Sequence, residues 1–182
     1  MKTWLAIAAI NVAWAAPVTD FRAKGMTGET AVFETAKAKA TVVVFYSVLC
    51  PISNEFNDRM SLLYKTYKSK DVQFVFADAN DNESAAEIAR HAKLAQYPFP
   101  VYRDEHNRIA DLLKAEATPE SFVLDSAGEI RYRGFIEDSK NEARVKVHGL
   151  SDAIDAVLSG KPVLRPETKS FGCTIKRHRK TS

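Results

Sequence analysis

Residues 42–46, Val-Val-Val-Phe-Tyr, are apolar without a polar break. A β-branched and aromatic run of this kind predicts a strand buried on both faces. Beyond Cys50-Pro51 the period changes: Phe56, Met60, Leu63 and Tyr67 recur at spacings of four, three and four, which predicts a helix with one apolar face. Residues 72–76 repeat the strand signal. Ser84 followed by Glu87 has the form of a capping box, in which a hydroxyl and a carboxylate satisfy free N–H groups at a helix start. That helix should run to about Leu94. Residues 99–102 read as a short strand and 109–113 as a short helix. Residues 121–124 and 130–132 flank Asp125-Ser126-Ala127-Gly128, a Gly-containing connection that signals a hairpin. Ser151 is expected to cap a last helix with Ile154, Val157 and Leu158 on one face, stopped by Gly160 and Pro162.

The predicted order is β-α-β-α-β-α-β-β-α. Strands alternating with helices imply an α/β fold with a parallel sheet, to which the closing hairpin adds antiparallel strands. Ligand chemistry in such sheets collects at the carboxyl ends of strands, and Cys50 follows one of them.

The first residues read as an address. Met1-Lys2-Thr3 supplies a positive charge, and the mostly apolar stretch 4–12 is broken only by Asn11. Ala13-Trp14-Ala15 then gives the small-x-small pattern read by signal peptidase. The run is far shorter than the ~20 residues of a spanning helix, so residues 1–15 are expected to be a cleaved signal peptide, with a buried N-terminal helix as the alternative. No cysteine stands near the cleavage site for a lipid anchor, and no other segment is long enough to cross a membrane. Export would place the mature protein in the periplasm or outside the cell, where disulfides persist. Trp4 and Trp14 would leave with the signal.

Composition narrows the function. A chain of 182 residues, 46% apolar, predicts one domain with a proper core. The expected division is a body at 16–160 and a tail at 161–182. The formal charge of +3 is uneven: seven Lys and Arg fall in the tail against one acid, Glu167, which leaves the rest net acidic. A nucleic-acid binder carries its basic charge across a folded face, so no nucleic-acid partner is expected. The tail reads as a solvated terminus, or as a docking element for a membrane surface or partner. Two cysteines exclude a disulfide-built mini-protein and an all-cysteine zinc site. His91, His106, His148 and His178 have no ligand spacing, and no metal or cofactor is implied. The run from Asp78 to Asn82 imitates a calcium loop, but Glu83 stands where Gly is needed and Ala89 where Glu is needed. Asn82-Glu83-Ser84 is a glycosylation sequon.

The chemistry is expected at Cys50. A cysteine between a buried strand and the first turn of a helix faces unpaired N–H groups and the positive end of the helix dipole. Such surroundings favour the thiolate, which is the nucleophile. Pro51 suits the first helical position, and the Ser53 hydroxyl is placed to donate to the sulfur. An inert buried cysteine is the alternative.

This pattern resembles a known fold. A strand, Cys50-Pro51 at a helix start, and a distant Thr118-Pro119 leading into residues 121–124 and a hairpin are similar to the thioredoxin-like three-layer fold, a central mixed sheet flanked by helices. The inserted β-α element at 72–94 resembles the redoxin branch, the alkyl hydroperoxide reductase/thiol-specific antioxidant superfamily with its exported TlpA-like relatives. The resemblance covers residues 18–161. It implies a cis Thr118–Pro119 bond beside Cys50, with Thr118 and Pro119 shaping a partner groove together with Pro51. It also implies thiol–disulfide exchange with protein thiols or disulfides, regenerated by an external reductant of thioredoxin type or a small thiol.

The chain departs from the relatives it resembles. Thioredoxins carry a second cysteine where Ser53 stands, so a mixed disulfide at Cys50 lacks a local resolving thiol. Ser47 and Pro51 match positions around a peroxiredoxin's reactive cysteine, but Val43 replaces a proline, and the catalytic arginine has only Arg131 and Arg133 as candidates by location. A peroxidase acting on a peroxide is therefore the second reading. Cys173, in Phe171-Gly172-Cys173-Thr174-Ile175, has three open roles: resolving Cys50, forming a permanent staple with it in a redox-inert binding module, or linking to another chain.

Overall fold

The computed structural model describes residues 16–178, so the signal-peptide expectation for 1–15 lies outside the described residues, as do the last four positions of the tail. Among the described residues no helix is long and apolar enough to cross a membrane.

The run at 42–46 lies in β3 (Ala40–Tyr46), every residue of which is buried. It pairs in parallel with β4 (Val72–Asp78), from Ala40 opposite Val72 to Tyr46 opposite Asp78. On its other side it pairs antiparallel with β7 (Glu120–Asp125). Alternate side chains then enter two cores, which is why the strand shows no polar face. Val42, Val44 and Tyr46 join the cluster containing Phe56, Met60, Ile88 and Ile154, while Val43 and Phe45 join the one containing Ile109, Leu113 and Phe122. Helices α2 (Asn57–Tyr67), α3 (Ala85–Leu94) and α5 (Gly149–Leu158) thus cover one face of the sheet, and α4 (Arg108–Leu113) the other.

Four further strands complete the large sheet: β1 (Asp20–Gly25), β2 (Thr30–Glu34), β5 (Val101–Arg103) and β8 (Ile130–Gly134) give the order β2-β1-β5-β4-β3-β7-β8. The β1–β2 hairpin is not legible as strands in the hydrophobic pattern. It is held by Phe21 stacked on Phe33, ring centroids 5.4 Å apart.

The helix expected after Cys50 is two helices. A short α1 (Pro51–Asn54) ends at Glu55, and α2 starts afresh at Asn57. At the break the Phe56 N–H bonds the Ser53 carbonyl at 3.0 Å, and the Phe56 ring is fully buried. The Ser84–Glu87 capping box forms in both directions. Ser151 does not cap α5. That helix begins two residues earlier, and the Ser151 hydroxyl donates to the His148 carbonyl. Gly149 permits the early start, since a Cβ there would strike the Tyr132 hydroxyl.

The tail is not a solvated terminus. The Thr168 N–H donates to the Arg133 carbonyl at 3.0 Å, and Phe171 packs on Phe56. Cys173 and Thr174 form β9, antiparallel to β6 (Ala117–Thr118). Ile175 is buried in the second core. Its charged neighbours face solvent while the backbone stays docked: Lys176 N–H donates to Asn80 Oδ1 at 2.9 Å, and the Lys176 carbonyl accepts from Asp81 N–H at 2.8 Å.

Candidate active site

Three segments converge at the carboxyl end of β3. The first is the loop Ser47–Cys50. Ser47 Oγ accepts the Cys50 N–H at 3.0 Å, and the Ser47 N–H donates to Ser53 Oγ at 3.1 Å. Cys50 is the N-cap of α1, with the Ser53 N–H 3.4 Å from its sulfur and Pro51 at the first helical position. Ser53 therefore serves Cys50 through its backbone N–H, while its hydroxyl ties the loop, rather than donating to the sulfur as expected.

The second segment is the Thr118–Pro119 turn, whose peptide bond is cis. The Thr118 carbonyl oxygen lies 3.3 Å from Cys50 Sγ. Glu120 holds this turn: its carboxylate accepts the N–H groups of Glu116 at 2.7 Å and Ala117 at 3.2 Å. The third segment is β9, which carries Cys173. Cys50 and Cys173 form a disulfide with Cα atoms 6.0 Å apart. Gly172 has φ of +156°, and a Cβ there would strike the Thr118 carbonyl, so only glycine lets the tail lie this close.

Cys50, Cys173, Ser47, Ser53, Pro51, Thr118 and Pro119 are thus brought together. The two arginines are not. Arg131 pairs with Asp125 and Glu129, at 3.5 and 3.4 Å. Arg133 pairs with Glu120 at 3.1 Å, where it supports the Thr118–Pro119 turn from behind. Among the described residues neither arginine has a hydrogen bond or ion pair with Cys50 or Ser47, and the Ser47 hydroxyl donates to Glu83.

Glu83 is the residue that sequence reasoning missed. It is 2% exposed, accepts the Ser47 hydroxyl with one oxygen, and accepts the Val48 N–H at 2.7 Å with the other. Beside it stands Asp78, at the end of β4, whose Oδ1 accepts from the Asn80 N–H at 2.8 Å. Burial first, and the adjoining Glu83 second, push the Asp78 carboxyl up to about 9, against the Asn80 N–H bonds that lower it. The Asp78 carboxyl therefore holds a proton more tightly than a solvated carboxyl does. In the sequence both residues stand out only as parts of a failed calcium loop and a sequon. Among the described residues no cluster of three or more His, Cys, Asp or Glu side chains could hold a metal.

The pattern of the AhpC/TSA family matches residues 15–133. The chain belongs to that family. It is 24% identical over 123 residues to the thiol-disulfide oxidoreductase ResA of Bacillus cereus, covering 68% of this chain and 70% of that one. An uncharacterized conserved protein from Geobacillus kaustophilus superposes with a TM-score of 0.81 at 28% identity, over 91% of this chain and 93% of its own. A thiol:disulfide interchange protein of the thioredoxin family from Chlorobium tepidum TLS superposes with a TM-score of 0.61 at 21% identity, over 80% of this chain and 98% of its own. The redoxin resemblance and the thioredoxin-like fold expected from Cys50-Pro51 and Thr118-Pro119 are both met in this AhpC/TSA member.

Proposed function

We propose that this protein is an exported thiol–disulfide oxidoreductase that reduces disulfides through Cys50 and is resolved by Cys173. The observation that carries the reading is the Cys50–Cys173 disulfide, set beside the cis Thr118–Pro119 bond. In the first step the Cys50 thiolate attacks a substrate disulfide, forms a mixed disulfide and releases one substrate thiolate. The Cys173 thiolate then attacks Cys50 Sγ, expels the second substrate thiolate and forms the observed bond. The substrate gains two electrons and the protein loses two. The two protons of the protein thiols end on the substrate thiols. An external dithiol or small thiol restores the reduced pair.

The Ser53 N–H at 3.4 Å from the sulfur favours the Cys50 thiolate. The name of the ResA relative supports exchange chemistry. The leader-like residues 1–15 support export, which is also the setting in which such a pair cycles. A peroxide site has less support, because the Ser47 hydroxyl is spent on Glu83 and both candidate arginines are paired elsewhere.

The test offers the reduced protein a peptide disulfide or hydrogen peroxide in separate reactions. The reading expects turnover of the disulfide, its loss in Cys50→Ser, and a trapped mixed disulfide on Cys50 in Cys173→Ser. Fast consumption of peroxide with no disulfide turnover would replace it by the peroxidase reading.

A further inference from the structure

In the oxidised protein the two cysteines are not equally exposed. Cys50 is 2% exposed; its sulfur is covered by the Ser53 N–H, the Thr118 carbonyl and Cys173 itself. Cys173 is partly exposed, and its neighbours Gly172 and Thr174 are exposed. The edge of β6 is also taken. Thr118 opposes Cys173, Ala117 opposes Thr174, and the Ile175 N–H donates to the Glu116 carbonyl at 3.0 Å. A partner strand therefore cannot add to β6 while the tail is docked.

The tail is held on both sides of Cys173 by contacts that do not depend on the disulfide. Phe171 packs on Phe56 with ring centroids 6.1 Å apart. Beyond the cysteine, Ile175 is buried, the His178 N–H donates to Asn107 Oδ1 at 2.6 Å, and Arg177 pairs with Asp111 at 2.6 Å.

From this geometry we propose that the reductant enters at Cys173, so that the disulfide is opened at the tail sulfur with Cys50 as the leaving thiolate. The inference rests on the exchange reading above and assigns its second half-reaction. A thiolate of a dithiol reductant attacks Cys173 Sγ, the Cys50–Cys173 bond breaks, and its electron pair leaves on Cys50 Sγ, where the Ser53 N–H is in place to bond it. The reductant's second thiolate then attacks its own sulfur in the mixed disulfide and expels the Cys173 thiolate. The reductant ends as a disulfide, and the protein ends with two thiols after taking up two protons. Exchange rates depend on which sulfur is reachable and on how well the leaving thiolate is stabilised; here both favour the same direction. The two cysteines thus face different partners: Cys50 the substrate disulfide, Cys173 the reductant.

The experiment treats the oxidised full-length mature protein with a thioredoxin variant that keeps only its attacking cysteine. The reaction is quenched in acid at intervals, free thiols are alkylated, and the mixed disulfide is located by non-reducing peptide mapping. The expected result is thioredoxin on Cys173 and alkylated Cys50, in at least tenfold excess over the reverse. Gly172→Ala, which drives a methyl group into the Thr118 carbonyl and lifts β9 from β6, should erase that preference while still allowing reduction. A mixed disulfide on Cys50, or an equal division in the parent protein, would overturn the inference and leave exchange standing. No reduction by this variant or by excess dithiothreitol would overturn the exchange reading, and this inference with it.

Discussion

Thr118 lies opposite Cys173 in a two-residue antiparallel ladder, and its carbonyl oxygen lies 3.3 Å from Cys50 Sγ. One residue therefore touches both halves of the disulfide. It does so because the chain returns more than a hundred residues later to lay Cys173 along β6.

That long return has a stability consequence. The disulfide closes a loop with a sequence separation of 123. In the chain-entropy model a loop of this size is worth about 4–5 kcal/mol. Oxidised and reduced protein, compared by urea denaturation followed by circular dichroism, should differ by an amount of this order. Cys173→Ser should match the reduced parent. Equal midpoints for the two redox states would contradict the model.

Residues 175–178 should remain docked after reduction because Ile175 is anchored in the core, while Gly172 and Cys173, freed from Cys50, part from β6 to admit the substrate. Ile175→Ala removes a buried side chain and should weaken that anchorage by about 2–4 kcal/mol. In the reduced state the variant should be cut quickly by trypsin at Lys176 and Arg177, while the reduced parent resists. Equal cleavage rates would show that the tail is held by the disulfide alone.

Glu83 organises the loop that carries Cys50. Glu83→Ala leaves the buried Val48 N–H and Ser47 hydroxyl without their acceptors. A loss of about 1–3 kcal/mol is expected, with a slower reaction of Cys50 toward iodoacetamide in the reduced protein. A variant as stable and as reactive as the parent would remove Glu83 from the account.

Asp78 gives the fold a signed pH dependence. Its carboxyl is raised to about 9 by burial and by Glu83, whereas an unfolded Asp ionises near 4. Between those values the folded state binds the additional proton, so this contribution to stability falls as pH rises through the window, and the fall is complete above about 9. Asp78→Asn should lose less stability than the parent between about pH 6 and pH 9. Parallel curves for the two oxidised proteins would contradict the assignment.

Much of this architecture was legible because it rests on local chemistry. The uninterrupted apolar run at 42–46 marked a strand buried on both faces, and Ser84 with Glu87 marked a helix start that forms both reciprocal bonds. Cys50 stood out by position, between strand and helix. What was not legible depends on tertiary contact. At the break, Phe56 is buried in the core and packs on Phe171, far along the chain. The start of α5 depends on Gly149 meeting Tyr132. Glu83 sits in a polar stretch with no periodicity, and only the fold brings it against Ser47. The tail's charge suggested a solvated terminus, yet Ile175 and the backbone dock while the charged side chains stay outside.

The central claim is that Cys50 and Cys173 form a redox-active pair. The most direct measurement equilibrates the mature protein in dithiol buffers of graded potential, alkylates the free thiols and counts them by intact mass. Exchange chemistry predicts an intramolecular disulfide with a potential above roughly −250 mV. A potential below about −300 mV, typical of structural disulfides in secreted proteins, would make the bond a permanent staple and contradict the account.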